Sequence, residues 1–153
     1  MRKVIDLLFQ YRLAKVRGMG TKNTVKSSTK AKGIFIICPV RNASEEDKGA
    51  LLRYVESKER QGCRVHYPAR DTDQNDPVGI EICTQNRNAI ADADEVHVLW
   101  DPKSPGSLFD LGMAFALEKP VVVINIADVE ETPSKSFSNV LRRLDAIGRK
   151  SRS

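Results

Sequence analysis

Asp110 is the side chain in this sequence best placed for covalent chemistry. It follows a Ser-Pro-Gly-Ser turn, Ser104 to Ser107, in a segment, SLFDLGMAFALE, that is otherwise apolar. A helix is expected to begin near Ser107 or Leu108 and to run to residue 118. Such a start turns unpaired backbone N–H groups and the positive end of the helix dipole toward an anion. Gly106 would let a phosphate approach the backbone closely, and the hydroxyls of Ser104 and Ser107 would add donors. The same four residues also suffice as a turn with an N-cap. A carboxylate in the first turn, among Leu108, Phe109, Leu111, Met113 and Phe115, is expected to border a crevice rather than open water. There it can attack an anomeric carbon and form a covalent glycosyl ester that water or another acceptor resolves.

Other polar residues could complete such a site. Asn86, bracketed one turn away by Ile82, Cys83 and Ile90, sits on a helix face directed partly inward, where its amide could bond a nucleobase edge or merely satisfy nearby backbone. Arg41 follows the first apolar run and could hold a phosphate or carboxylate, or pair at the surface with Glu45 or Glu46. Arg70, Asp71 and Asp73 lie in a polar stretch able to close over a ligand. His66 and His97 fall within strands and read as packed or edge residues rather than catalytic bases. Cys38, Cys63 and Cys83 form no CxxC pair and have only two histidines beside them, so reduced thiols are expected rather than a metal site.

The elements that must position these residues are legible as short apolar runs alternating with helical segments, the pattern of βαβ units. Residues 33–38, 64–67, 95–100 and 120–126 read as strands. Helices are expected from Ser44, whose partner three residues on is Asp47, to Arg60 or Gln61, from about Val78 to Ala91, over 107–118, and along Phe137, Val140, Leu141, Leu144 and Ile147. The fold class is therefore α/β, a doubly wound, flavodoxin-like or Rossmann-like parallel sheet of about five strands with helices on both faces. In such sheets ligands bind beyond the carboxyl ends of the strands. Four polar loops, CPVRNAS, YPARDTDQNDP, WDPKSPGSLFD and NIADVEETPS, gather there.

Charge is distributed unevenly. Of 25 basic and 20 acidic residues, nine basic against Asp6 alone fall in 1–32, and five against Asp145 fall in 140–153. The middle of the chain is consequently acidic, with 11 basic and 18 acidic residues. Residues 1–17 read as a basic amphipathic helix, 18–32 as a Gly/Ser/Thr/Lys-rich basic linker, 33–148 as the α/β domain and 149–153 as a basic tail. A basic arm can attract nucleic acid, but no aromatic-interleaved basic face or helix-turn-helix pattern accompanies it, so a DNA- or RNA-associated role is the weakest reading. No apolar run is long enough to span a bilayer, and a cytoplasmic location is expected.

The stretch ADADEVHVLWDPKSPGSLFDLGMAFALEKPVVVIN, together with FIICPVRNAS, resembles the nucleoside 2-deoxyribosyltransferase superfamily, which includes the deoxynucleoside 5′-monophosphate N-glycosidases. The resemblance covers about residues 33 to 126. It implies a carboxylate nucleophile at the sugar C1′, with Asp110 standing where the family has a glutamate before Leu-Gly. It puts Asn86 at the place of a second carboxylate that serves the leaving base. Ser104, Gly106 and Arg41 match the monophosphate-specific branch, while Cys38 and Pro39 replace the glycine usual at the end of the first strand. The resemblance implies a nucleoside or nucleotide as small-molecule ligand, a homo-oligomer, and no metal or redox cofactor. Two readings follow: an N-glycosidase or deoxyribosyltransferase-like enzyme, and a noncatalytic nucleotide-sensing module with the same pocket, which Asn86 favours.

Overall fold

The apolar runs pair as four parallel strands: β1 (Gly33–Ile37), β2 (Arg64–His66), β3 (Glu95–Val98) and β4 (Val121–Val123). Their order across the sheet is β2-β1-β3-β4. The structure, a computed structural model, describes residues 30–41 and 43–151. The helix and linker expected over 1–17 and 18–32 lie outside the described residues, apart from the linker's last three.

Every side chain of β1 is buried, so this strand must be covered on both faces. Helix α1 (Glu45–Arg60) covers one face, where Leu51 and Val55 pack on Ile34, Ile36 and Val65. On the other face Ile90 of α3 (Ile80–Asp92), and Leu111 and Ala114 of α4 (Pro105–Ala116), meet Phe35, Ile37, Val96 and Val98. Between β2 and α3 the chain makes a four-residue helix, α2 (Pro68–Asp71), within the stretch expected to be a polar loop. Pro68 at its first position supplies the fixed φ that favours a helix start. Helix α1 starts as its sequence foretells, because Ser44 Oγ accepts the N–H of Asp47 at 3.0 Å and acidic residues fill the first turn.

The face under α1 admits one polar cluster into the core. His97 bonds Tyr54 Oη through Nδ1 and Glu95 through Nε2, both at 2.7 Å, and Lys32 reaches Glu95 at 2.7 Å. His97 is thus a packed residue, as its place in a strand suggested.

The sheet has four strands among the described residues rather than about five, and the last helix explains why. Helix α5 (Phe137–Lys150) lies along the outer edge of β4, where a further strand would pair. Asp145 Oδ1 accepts the N–H of Val123 at 2.8 Å, and Arg149 donates to the carbonyl of Val123 at 3.1 Å. Gly148 brings the helix backbone so near that any Cβ there would collide with the carbonyl oxygen of Val121. Side chains thereby satisfy the Val123 edge groups that a fifth strand would have paired. Arg149, expected in a basic tail, belongs to this helix.

Candidate functional site

A cleft of about 530 Å³ opens at the carboxyl ends of β1 and β3, the two central strands at which the winding reverses. Arg41, Asn86, Ser104, Gly106 and Asp110 all line it. Three of the four loops at that edge contribute to it. The fourth instead braces the third: Asn125 accepts the N–H of Trp100 at 2.8 Å and donates to its carbonyl at 3.0 Å, which ends β3 pairing and fixes the strand-to-helix turn.

Helix α4 starts earlier than expected, at Pro105, and Ser104 is its N-cap. Both the N–H of Ser107, at 3.3 Å, and its hydroxyl, at 2.9 Å, donate to Ser104 Oγ. Ser107 is 2% exposed, so it enters the site through Ser104 rather than by facing the cleft. Gly106 does face the cleft, and a Cβ there would meet no atom within 4 Å. Its small size leaves room at the helix start that the fold itself does not need.

Because the helix begins at Pro105, Asp110 lies in its second turn, not its first. It stands four positions after Gly106, so the two share a helix face about 6 Å apart along the axis. Asp110 is only 9% exposed, and among the described residues its side-chain hydrogen bond comes from Asn86 Nδ2 at 3.0 Å. Burial raises its pKa from 3.8 to about 6, with the Asn86 amide pulling the other way. At neutral pH it is chiefly a carboxylate with little access to solvent. Cys38, at the end of β1, is pushed up to about 12 by burial and by Asp110, which keeps it a neutral thiol.

Asn86 is 5% exposed and fully engaged at Oδ1, which accepts the hydroxyl of Thr72 at 2.9 Å. Arg70 and Asp71 do not line the cleft: Arg70 reaches Glu59 at 3.0 Å and the carbonyl of Val65, while Asp71 accepts the N–H of Tyr67. Asp73 does not line it either. From that stretch the cleft receives Pro68 and Gln74. Sequence reasoning missed Lys103, which lines the cleft beside Ser104 and was signalled by its place in the Asp-Pro-Lys-Ser loop. It also missed Thr72, whose contact with Asn86 no spacing discloses.

Residues 24–140 match the family model described as nucleoside 2-deoxyribosyltransferase. No curated protein matches the sequence. Among solved structures, the CMP N-glycosidase BcmB of Clostridium botulinum is similar at 19% identity, with a TM-score of 0.45 over 76% of this chain and 82% of that one. No helix among the described residues is long and apolar enough to cross a membrane.

Proposed function

We propose, from the premise that this chain belongs to the nucleoside 2-deoxyribosyltransferase family, that it cleaves or exchanges the N-glycosidic bond of a nucleoside 5′-monophosphate with Asp110 as nucleophile. One observation carries this reading: a buried carboxylate stands one helical turn beyond an uncrowded, glycine-lined helix start, on the same face. That separation is on the scale of the distance from a 5′-phosphate to C1′. Gly106 and Ser104 at the start of α4, with Arg41 and Lys103 nearby, would hold the phosphate. Ser107 would serve by fixing Ser104.

In the reaction an Asp110 oxygen attacks C1′ as the C1′–N bond breaks, and its electron pair leaves with the base. Water, or a second base in exchange, then attacks C1′ and returns the carboxylate. Asn86 has no carboxylic proton to give, so the departing base takes its proton from water in the cleft, and poorly leaving bases react slowly. As in the family, a second copy of the chain would help to enclose the site.

A noncatalytic nucleotide-sensing module is the second reading, and the engagement of Asn86 with Asp110 favours it. The two readings part on free base. Incubating the protein with ribo- and deoxyribonucleoside 5′-monophosphates, and with the matching nucleosides, should release base from a monophosphate and not from its nucleoside. Asp110→Ala should lower that release roughly a thousandfold or more. Binding without release from any nucleotide would establish the sensor.

A further inference from the structure

Asn86 and Thr72 are the inner part of a longer chain of hydrogen bonds that runs away from the cleft. Asn86 Nδ2 donates to Asp110 Oδ2 at 3.0 Å, Thr72 Oγ1 donates to Asn86 Oδ1 at 2.9 Å, and His66 Nε2 lies 3.0 Å from Thr72 Oγ1. The protons can be counted along it. An ionised Asp110 only accepts, so Asn86 turns its NH₂ inward and its carbonyl toward Thr72. Thr72 has a single hydroxyl proton and gives it to that carbonyl. It can then only accept from His66, whose Nε2 must carry hydrogen.

Each link is held from outside. His66 ends β2 and stacks on Phe35, with ring centroids 5.2 Å apart and planes 14° from parallel. Thr72 is 4% exposed. His66 also borders a separate cavity of about 260 Å³, together with Arg64, Arg70 and Asp71, so the outer end of the chain does not reach the cleft.

We propose that His66 and Thr72 are positioning residues for Asp110: the Nε2–H of His66 fixes the Thr72 hydroxyl, which fixes the Asn86 amide with its NH₂ rather than its carbonyl against the carboxylate. Cutting the chain frees the amide to turn over. The carbonyl then faces Asp110 and favours its protonated form, in which the acid O–H donates to Asn86 Oδ1. The charged or titratable groups around the two ends are few. Asp110 faces Cys38 from β1 and shares the cleft with Arg41, Cys83, Asp101 and Lys103; His66 faces Asp71, Arg70 and Arg64. Burial, ahead of these charges, holds His66 below its ordinary value, so at pH 7.5 the ring is neutral and its tautomer is defined.

This inference rests on Asp110 being the reactive group, yet it can be read without turnover. Carbon-13 NMR of the full chain labelled at aspartate would follow the Asp110 carboxyl through a pH titration, and nitrogen-15 NMR would read the His66 tautomer. His66 should be the Nε2–H tautomer. Thr72→Val and His66→Phe should move the Asp110 midpoint up by about one pH unit, and Thr72→Ser and His66→Gln, which keep the donors, should restore it. A His66 protonated at Nδ1 alone, or a folded Thr72→Val with an unmoved midpoint, would overturn the proposal. Should Thr72→Val fail to fold, the wild-type tautomer and the His66→Phe and His66→Gln pair decide. A shifted midpoint with no base release in any variant would support the positioning chain while sinking the glycosidase reading.

Discussion

Two buried aspartates on helices face opposite fates in this molecule. Asp145, at the β4 edge, is 5% exposed and bonds the N–H of Val123 at 2.8 Å and the guanidinium of Arg149 at 2.7 Å. Its charge is matched by a cation, and its geometry closes the sheet. Asp110, on the floor of the cleft, is 9% exposed and receives one neutral amide. Among the described residues that amide offsets only part of the cost of burying its charge, and burial raises its pKa to about 6. One aspartate closes the sheet edge, whereas the other, among the described residues, has a single amide partner and lines the cleft beside the start of α4.

Thermal or denaturant unfolding of single variants would break or sharpen that contrast. The largest effect belongs to the edge. Gly148→Ala should destabilise the chain by about 3 kcal/mol or more, because its Cβ meets the Val121 carbonyl and the helix must move off the strand. Asp145→Ala should cost about 2–3 kcal/mol, since it strands a buried N–H and removes the partner of Arg149.

Asp110→Asn should act in the opposite sense. With the folded pKa raised above 3.8 to about 6, the wild type favours the protonated acid and loses stability as pH rises through that interval. The amide variant escapes this loss. It should therefore be more stable by about 1–3 kcal/mol at pH 8, with the difference vanishing near pH 4. An Asp110→Asn variant less stable than the wild type at pH 8 would erase the distinction between the two aspartates. Smallest of all, Gly106→Ala should change stability by less than about 0.5 kcal/mol, because its methyl meets nothing. Calorimetry should nevertheless show weaker binding of a 5′-monophosphate by about tenfold.

These two regions also differ in how far the sequence discloses them. The residues lining the cleft are largely legible, because Arg41, Ser104 and Gly106 follow apolar strands at turns into helices, and Asn86 and Asp110 fall on inward faces of helices whose apolar periodicity is plain. The edge is not. Asp145 looks like an ordinary polar position on an amphipathic helix, and only tertiary contact shows that α5 replaces a strand. The strands end sooner than the apolar runs for a related reason: Leu99, Trp100 and Ile124 continue the pattern, but Asn125 takes the Trp100 backbone and Ile126 enters a 3₁₀ turn (Ile126–Asp128). Thr72 draws no attention, and His66 reads only as a packed or edge residue, because each along the chain is a common residue in a loop or a short strand.

The most direct test of Asp110 as nucleophile is rapid quenching of the protein with a 5′-monophosphate that it turns over, followed by mass spectrometry of the peptide carrying residue 110. A mass increase equal to the sugar phosphate on Asp110, absent from Asp110→Asn, is the expected result. Base release that persists in Asp110→Asn, with no adduct on the wild-type peptide, would contradict the assignment.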